Sequence, residues 1–366
     1  MFTSSIDMSS VDYVNRLESY GAVISSSFSG IIDGNNFSIF GFNTDKEAKT
    51  DTITLSEAQN FALFNTLDNA TIKNITFGEE NIQLILSNMF ANNVGNVINL
   101  SLIATGANNS IIDNVDVLNL KVVLTTDNSN GKTEYLTNKV YIAGLVNTMT
   151  NGTISNSSIK LSTSIDINFS NEMYVGGAIS SANGVNVENC IINFAPTVST
   201  DSTISYLGGA IAYYVGNTSK ITGITSTNVT IDISELKAIY VGGLVGFARY
   251  IKIDSSETDG TFKNTSVNYD VYMGGLVGLA QSSLIQNSGT NITFNVSVSD
   301  TTNKYFGVIA GMLTIINNIS SEVVECYVYN YDYLEKTTVT TSAITMGIYT
   351  HKDSAVTITD CYKKEQ

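Results

Sequence analysis

Tyr240-Val-Gly-Gly-Leu-Val-Gly246 returns one repeat later as Tyr272-Met-Gly-Gly-Leu-Val-Gly278, and the fold is read from this pair. Working outward, the same element stands as Tyr141-Ile-Ala-Gly-Leu-Val, Tyr174-Val-Gly-Gly-Ala-Ile, Tyr206-Leu-Gly-Gly-Ala-Ile and Tyr305-Phe-Gly-Val-Ile-Ala. The six tyrosines are spaced by 33, 32, 34, 32 and 33 residues, the kind of fixed beat that marks a repeat architecture. A second element follows, as in Thr71-Ile-Lys-Asn-Ile, Ile111-Ile-Asp-Asn-Val, Asn186-Val-Glu-Asn-Cys, Leu284-Ile-Gln-Asn-Ser and Thr357-Ile-Thr-Asp-Cys. A third alternation, such as Asn291-Ile-Thr-Phe-Asn-Val-Ser-Val, closes most repeats.

Three short alternating strands per 32–34 residues, with no helical periodicity, predict an all-β fold. The expected architecture is a right-handed, single-stranded parallel β-helix of about ten rungs. One rung cannot bury its apolar face alone, so neighbours complete both its core and its hydrogen bonds. The right hand follows from the general chirality of parallel connections. A β-propeller blade needs about 40–50 residues and four strands, which this period does not supply. Earlier repeats, 39–43 residues long, read as the same rung with longer loops such as 125–138.

Residues 9–21 read as a short amphipathic helix, with Ser10 as N-cap, Val11, Val14 and Leu17 as its stripe and Gly21 at C′. Such a helix would cover the open edge of the first rung. The division expected is therefore an N-terminal cap segment, 1–22, and a β-helix domain, 23–366. The closing Cys361-Tyr-Lys-Lys-Glu-Gln shows no evident cap, so this end is expected to continue into further chain or to dock onto something.

Composition narrows the function classes. Hydrophobic residues make up 43% and charged residues 14%, so the chain can build a core but has few charges to spend on partners. Net charge is −15 and the arginines are Arg16 and Arg249, which excludes a phosphate-backbone partner such as nucleic acid. No apolar run approaches the roughly 18–20 residues of a membrane span, so no membrane insertion is expected. The first seven residues lack the basic and apolar regions of a signal peptide. Three cysteines do not make a disulfide framework. Cys326 and Cys361, 35 residues apart at equivalent positions, are expected to be stacked neighbours carrying reduced thiols.

Gly243-Leu-Val-Gly246, Gly275-Leu-Val-Gly278, the opening Phe28-Ser-Gly-Ile-Ile-Asp-Gly-Asn35 and the stretch Ala62 to Asn74 together resemble the GLUG-motif family of surface and secreted β-helix proteins. The resemblance implies an adhesin-like or surface-layer role, and a place outside the cell or on its surface. It says nearly nothing about activity.

The one surface singled out for binding is the tyrosine column Tyr141, Tyr174, Tyr206, Tyr240, Tyr272 and Tyr305. The residue after each tyrosine is always apolar, so alternation puts that residue inward and the tyrosine outward. An exposed aromatic ladder could stack on sugar rings or another protein. The alternative is a packing ladder covered by a loop. The asparagines Asn74, Asn114, Asn156, Asn189 and Asn287 are expected to serve the turns.

Catalysis has little to draw on. Asp33, Asp113, Asp232, Asp254 and Asp360 are scattered, with Asp254 and Asp360 read as sharing a column, and His351 is read as a loop residue. No triad order, metal-ligand spacing or phosphate loop is present, so no catalytic residue, metal or cofactor is expected. Three functions follow: an adhesin or stalk binding a glycan or protein by its side, a polysaccharide lyase or hydrolase, and a structural piece self-associating through its C-terminal end.

Overall fold

The computed structural model describes residues 1–8, 22–42, 51–55, 60–78, 82–87, 97–125, 137–167, 170–200, 202–216, 219–234, 238–267, 270–298, 304–317, 319–329, 347–352 and 356–363. Among them the chain is a parallel β-solenoid, with strands gathered into sheets of 20 and 17 and no helix. One turn comprises Ala238–Gly242, Val245–Arg249, Lys252–Asp254 and Glu257–Val267. Each of these pairs in parallel with its counterpart one repeat on, Tyr240 with Tyr272, Phe247 with Leu279, Ile253 with Ile285 and Phe262 with Phe294.

A turn thus holds four strand segments where the sequence suggests three. The tyrosine element is two strands meeting at a bend, and the glycines make that bend. A Cβ on Gly209 would lie 1.9 Å from the Gly243 carbonyl oxygen of the next turn, so no side chain fits where the rungs nest. Where Val308 takes the place of the second glycine, the strand runs unbroken over Lys304–Thr314.

The other corners turn on left-handed residues. Asn74, Asn114, Asn156, Asn189 and Asn287 all have φ between 48° and 56°, a region that asparagine enters more readily than most residues. Their amides also reach along the rod: Asn114 Nδ2 donates to Asn74 Oδ1 at 2.9 Å, and Asn74 Nδ2 to Asp33 Oδ1 at 3.0 Å. At the same corner Ser255, Glu325 and Asp360 hold φ of 50–52°. Glu325 is exposed and gains nothing visible from its carboxylate there. Glu325→Asn should therefore raise stability by about 0.5–1 kcal/mol, read as a higher urea midpoint at unchanged slope.

Packing follows from alternation. Ile142, Val175, Leu207, Val241, Met273 and Phe306 are fully buried, as are Ile154, Val187, Ile221, Ile253, Ile285 and Val323 on the adjoining side. A serine column lies beside the asparagine corner. Ser157 and Ser256 Oγ accept the backbone N–H groups of Val115 and Ile224, one turn away, at 3.1 and 3.2 Å. Cys190, Cys326 and Cys361 occupy this column where serine is missing, which accounts for their register. Cys326 and Cys361 are indeed on adjacent rungs and both are free thiols. Hydrogen bonding from Cys326 lowers the Cys361 thiol to about 7 against the effect of burial, while that contact and burial push Cys326 up.

Two expectations need revision. About seven turns carry strands on every side, from the turn of Asn60–Phe61 to that of Gly289–Val298, with incomplete turns beyond each end, rather than ten rungs. Each copy of the short Ile-containing element marks a turn in sequence, but near the ends its companion strands shrink to two residues or fall outside the described residues. The capping helix over 9–21 lies outside the described residues; within the segment 1–22, Ile6–Asp7 forms a strand that pairs with Ile39 and Phe40 at the sheet edge.

Candidate functional site

The tyrosine column is a continuous ring stack. Successive rings from Tyr141 to Tyr305 have centroids 4.7–5.0 Å apart and planes within 3–16° of parallel. This is the spacing of parallel strands, so the rings follow the backbone beneath them. A second column runs beside it through Tyr213, Phe247, Leu279 and Met312. Tyr213 and Phe247 stack on each other at 4.8 Å and meet the tyrosines edge-on at 5.2–6.1 Å, with planes 76–90° apart. The glycine bend brings the two columns together. The sequence carries a signal for the second column: its members stand seven residues after Tyr206, Tyr240, Tyr272 and Tyr305.

This geometry limits what the ladder can bind. Sugar rings pack on aromatic faces, and each internal tyrosine has both faces filled by its neighbours. Tyr174 is only 8% exposed. What remains toward solvent is a row of phenol edges, and at Tyr174 the hydroxyl donates to Glu172 Oε2 at 2.6 Å, itself 2.7 Å from Lys139 Nζ. Burial raises Tyr141, Tyr174, Tyr206, Tyr240 and Tyr272 above the usual phenol range, Tyr272 to about 12. The ladder is first of all packing.

A cavity of about 210 Å³ lies on another side, among the long strands, lined in part by Thr225, Thr227, Glu257, Asp259, Asn291 and Tyr329. It opens at a register irregularity between Ser226 and Val229, where Asn228 is left-handed with φ 52°. Such bulges re-aim side chains and recur next to functional sites. Gly289 has no side chain in the outward column, and the Tyr327 ring fills that gap, so close that a Cβ on Gly289 would strike it. The Tyr327 hydroxyl thereby reaches Glu257 Oε1 two turns away, and the Tyr329 hydroxyl donates to the same oxygen at 3.3 Å. Burial first, then the Glu257 carboxylate, raises the Tyr327 phenol. Asn291 Nδ2 donates to Asp259 Oδ1 at 3.0 Å. The chain spacing of 70 residues between Glu257 and Tyr327 hides this grouping from the sequence.

The aspartates picked out earlier do not converge. Asp254 pairs in register with Gln286 and, through Val324, with Thr359, so Asp360 stands one column over and not in line with it. Burial opposes ionisation of Asp254, but hydrogen bonds from Asn287, Lys252 and Ser255 hold its carboxyl below the usual range. His351, read as a loop residue, lies in the strand Gly347–Lys352 opposite Met312, because the alternation of that segment continues the ladder. Among the described residues no group of three or more His, Cys, Asp or Glu side chains could hold a metal ion. None of them forms a helix long and apolar enough to cross a membrane. No protein-family model matches the chain, and no curated protein does.

Proposed function

We propose that this chain is a non-enzymatic, right-handed β-solenoid of the GLUG-motif kind, placed outside the cell or on its surface, where it serves as an adhesin or stalk. It binds a glycan or a protein through its lateral face. The observation that carries this reading is the parallel ladder running from one end of the described residues to the other. Nearly every described segment is used to hold the ladder, and its sides present short Ser, Thr and Asn side chains with recessed polar cavities, among them the one beside Glu257.

Binding without turnover is the expected behaviour. The purified chain should be retained on immobilised polysaccharides or whole cells, while the polymer keeps its size distribution and gains no reducing or unsaturated ends. Shortening of the polymer would overturn the reading in favour of a lyase or hydrolase. Absence of retention on every glycan and cell surface offered would remove the adhesin role.

A further inference from the structure

We infer that the cavity framed by Asp259, Asn291 and Tyr329 is a subsite for one neutral sugar residue of a larger glycan. This rests on the lateral-face reading above and adds where the contact is made and what it recognises.

Size comes first. About 210 Å³ is below the roughly 300 Å³ at which pockets for drug-sized ligands begin, and suits a single six-membered ring with its hydroxyls. The chemistry of the walls agrees. Asp259 is exposed and gives one carboxylate oxygen to Asn291, leaving the other side of the group toward solvent. Thr225 and the Asn291 amide add groups that both donate and accept, while Thr227, whose hydroxyl donates to Asn193 Oδ1 at 2.6 Å, can still accept. Adjacent sugar hydroxyls donate well to a carboxylate, and hydrogen bonds to a charged acceptor are about twice as strong as neutral ones. Tyr329 supplies the aromatic wall against which the C–H side of a sugar ring packs. Among the described residues the lining holds no lysine or arginine, and the carboxylates of Glu257 and Asp259 would disfavour an anionic ligand.

The same contacts argue against a divalent cation. Glu257 Oε1 already accepts two phenol hydroxyls and Asp259 Oδ1 an amide N–H, so at most one oxygen of each carboxylate is left for a metal, and among the described residues no third His, Cys, Asp or Glu joins them. The site is also built before any ligand arrives. Tyr327 is wedged over Gly289, Tyr329 meets it edge-on at 5.6 Å, and both are tied to Glu257. Side chains already held in place lose little entropy on binding.

Saturation-transfer NMR on the full chain tests this, using the methyl glycosides of glucose, galactose, mannose and N-acetylglucosamine as probes. Transfer to the ring protons of at least one probe is expected, weakened roughly tenfold in Asp259→Ala and in Asn291→Ala. Both changes sit at the surface, and circular-dichroism melts check that the variants still fold. Transfer to none of the four probes overturns the subsite, as does transfer that survives both substitutions or that calcium chloride abolishes by competition. A chain whose retention on glycans or cells is unchanged by Asp259→Ala has lost this subsite but keeps lateral-face binding. A wild-type chain retained on neither has lost both.

Discussion

Gly209→Val should destabilise the fold severely, with a much lower melting temperature and soluble yield. The added Cβ alone would lie 1.9 Å from the Gly243 carbonyl oxygen and 2.5 Å from Ser226 Oγ. Backbone on one side and a buried core side chain on the other leave it no way out. Neighbouring turns repeat the contact, with a Cβ on Gly177 1.9 Å from Gly209 O and one on Gly243 2.2 Å from Gly275 O, so a shift in one turn is passed to the next. Overpacking of this kind costs about 3 kcal/mol or more, and a domain has only about 5–15 kcal/mol in total. The readouts are soluble yield and the melting transition by circular dichroism. A melting temperature within a few degrees of the parent would mean that the turns part easily at the bend, and the account of the glycines would fall.

Alkali should have the second large effect. Burial holds the phenols of Tyr141, Tyr174, Tyr206, Tyr240 and Tyr272 above their ordinary value, Tyr272 at about 12, so the folded state keeps protons that the unfolded state gives up near pH 10. The stability tied to this difference is fully present below about pH 10 and is lost as pH rises through the folded values. Their hydroxyl ends lie near solvent, so each of these five contributes on the order of 1 kcal/mol after solvent screening, and the stack shares the loss. The melting temperature should therefore stay flat to about pH 9.5 and fall steeply by pH 12, with phenolate absorbance at 295 nm rising together with loss of the β signal. Tyr206→Ser should shallow that pH dependence and by itself cost about 3 kcal/mol, since it removes two stacked neighbours and two edge contacts. Tyrosines that ionise near pH 10 with the fold intact would mean open ring faces, and the ladder would regain its place as a binding surface.

The repeat made much of this legible. In a parallel solenoid, the residue one repeat away is the residue one strand away, so counting one repeat, 32–34 residues between Tyr141 and Tyr305 and 35 from Cys326 to Cys361, names the stacking partner. The tyrosine stack, the inward column behind it and the Cys326–Cys361 neighbours follow from that count alone. Alternation supplied the inside and the outside. Counting was less reliable near the ends, where a motif is present but its companion strands are short.

Other features depend on distances that spacing does not carry. The bend at Gly242–Gly243 turns one apparent strand into two and brings Phe247 edge-on to Tyr240, which decides that the ladder is enclosed on one side. The stacking that makes the tyrosines look like a ligand platform in sequence is what fills their faces in space. Glu257 meets Tyr327 across two repeats because Gly289 leaves a gap between them and a tyrosine is long enough to cross it. By itself, then, the sequence determined the repeat, the parallel stacking and the identity of each column, since these depend on register along the chain. Only the tertiary structure decided that the glycines make a further corner, which ring faces stay open and which side chains reach past their nearest rung, since these depend on bend angle and side-chain length.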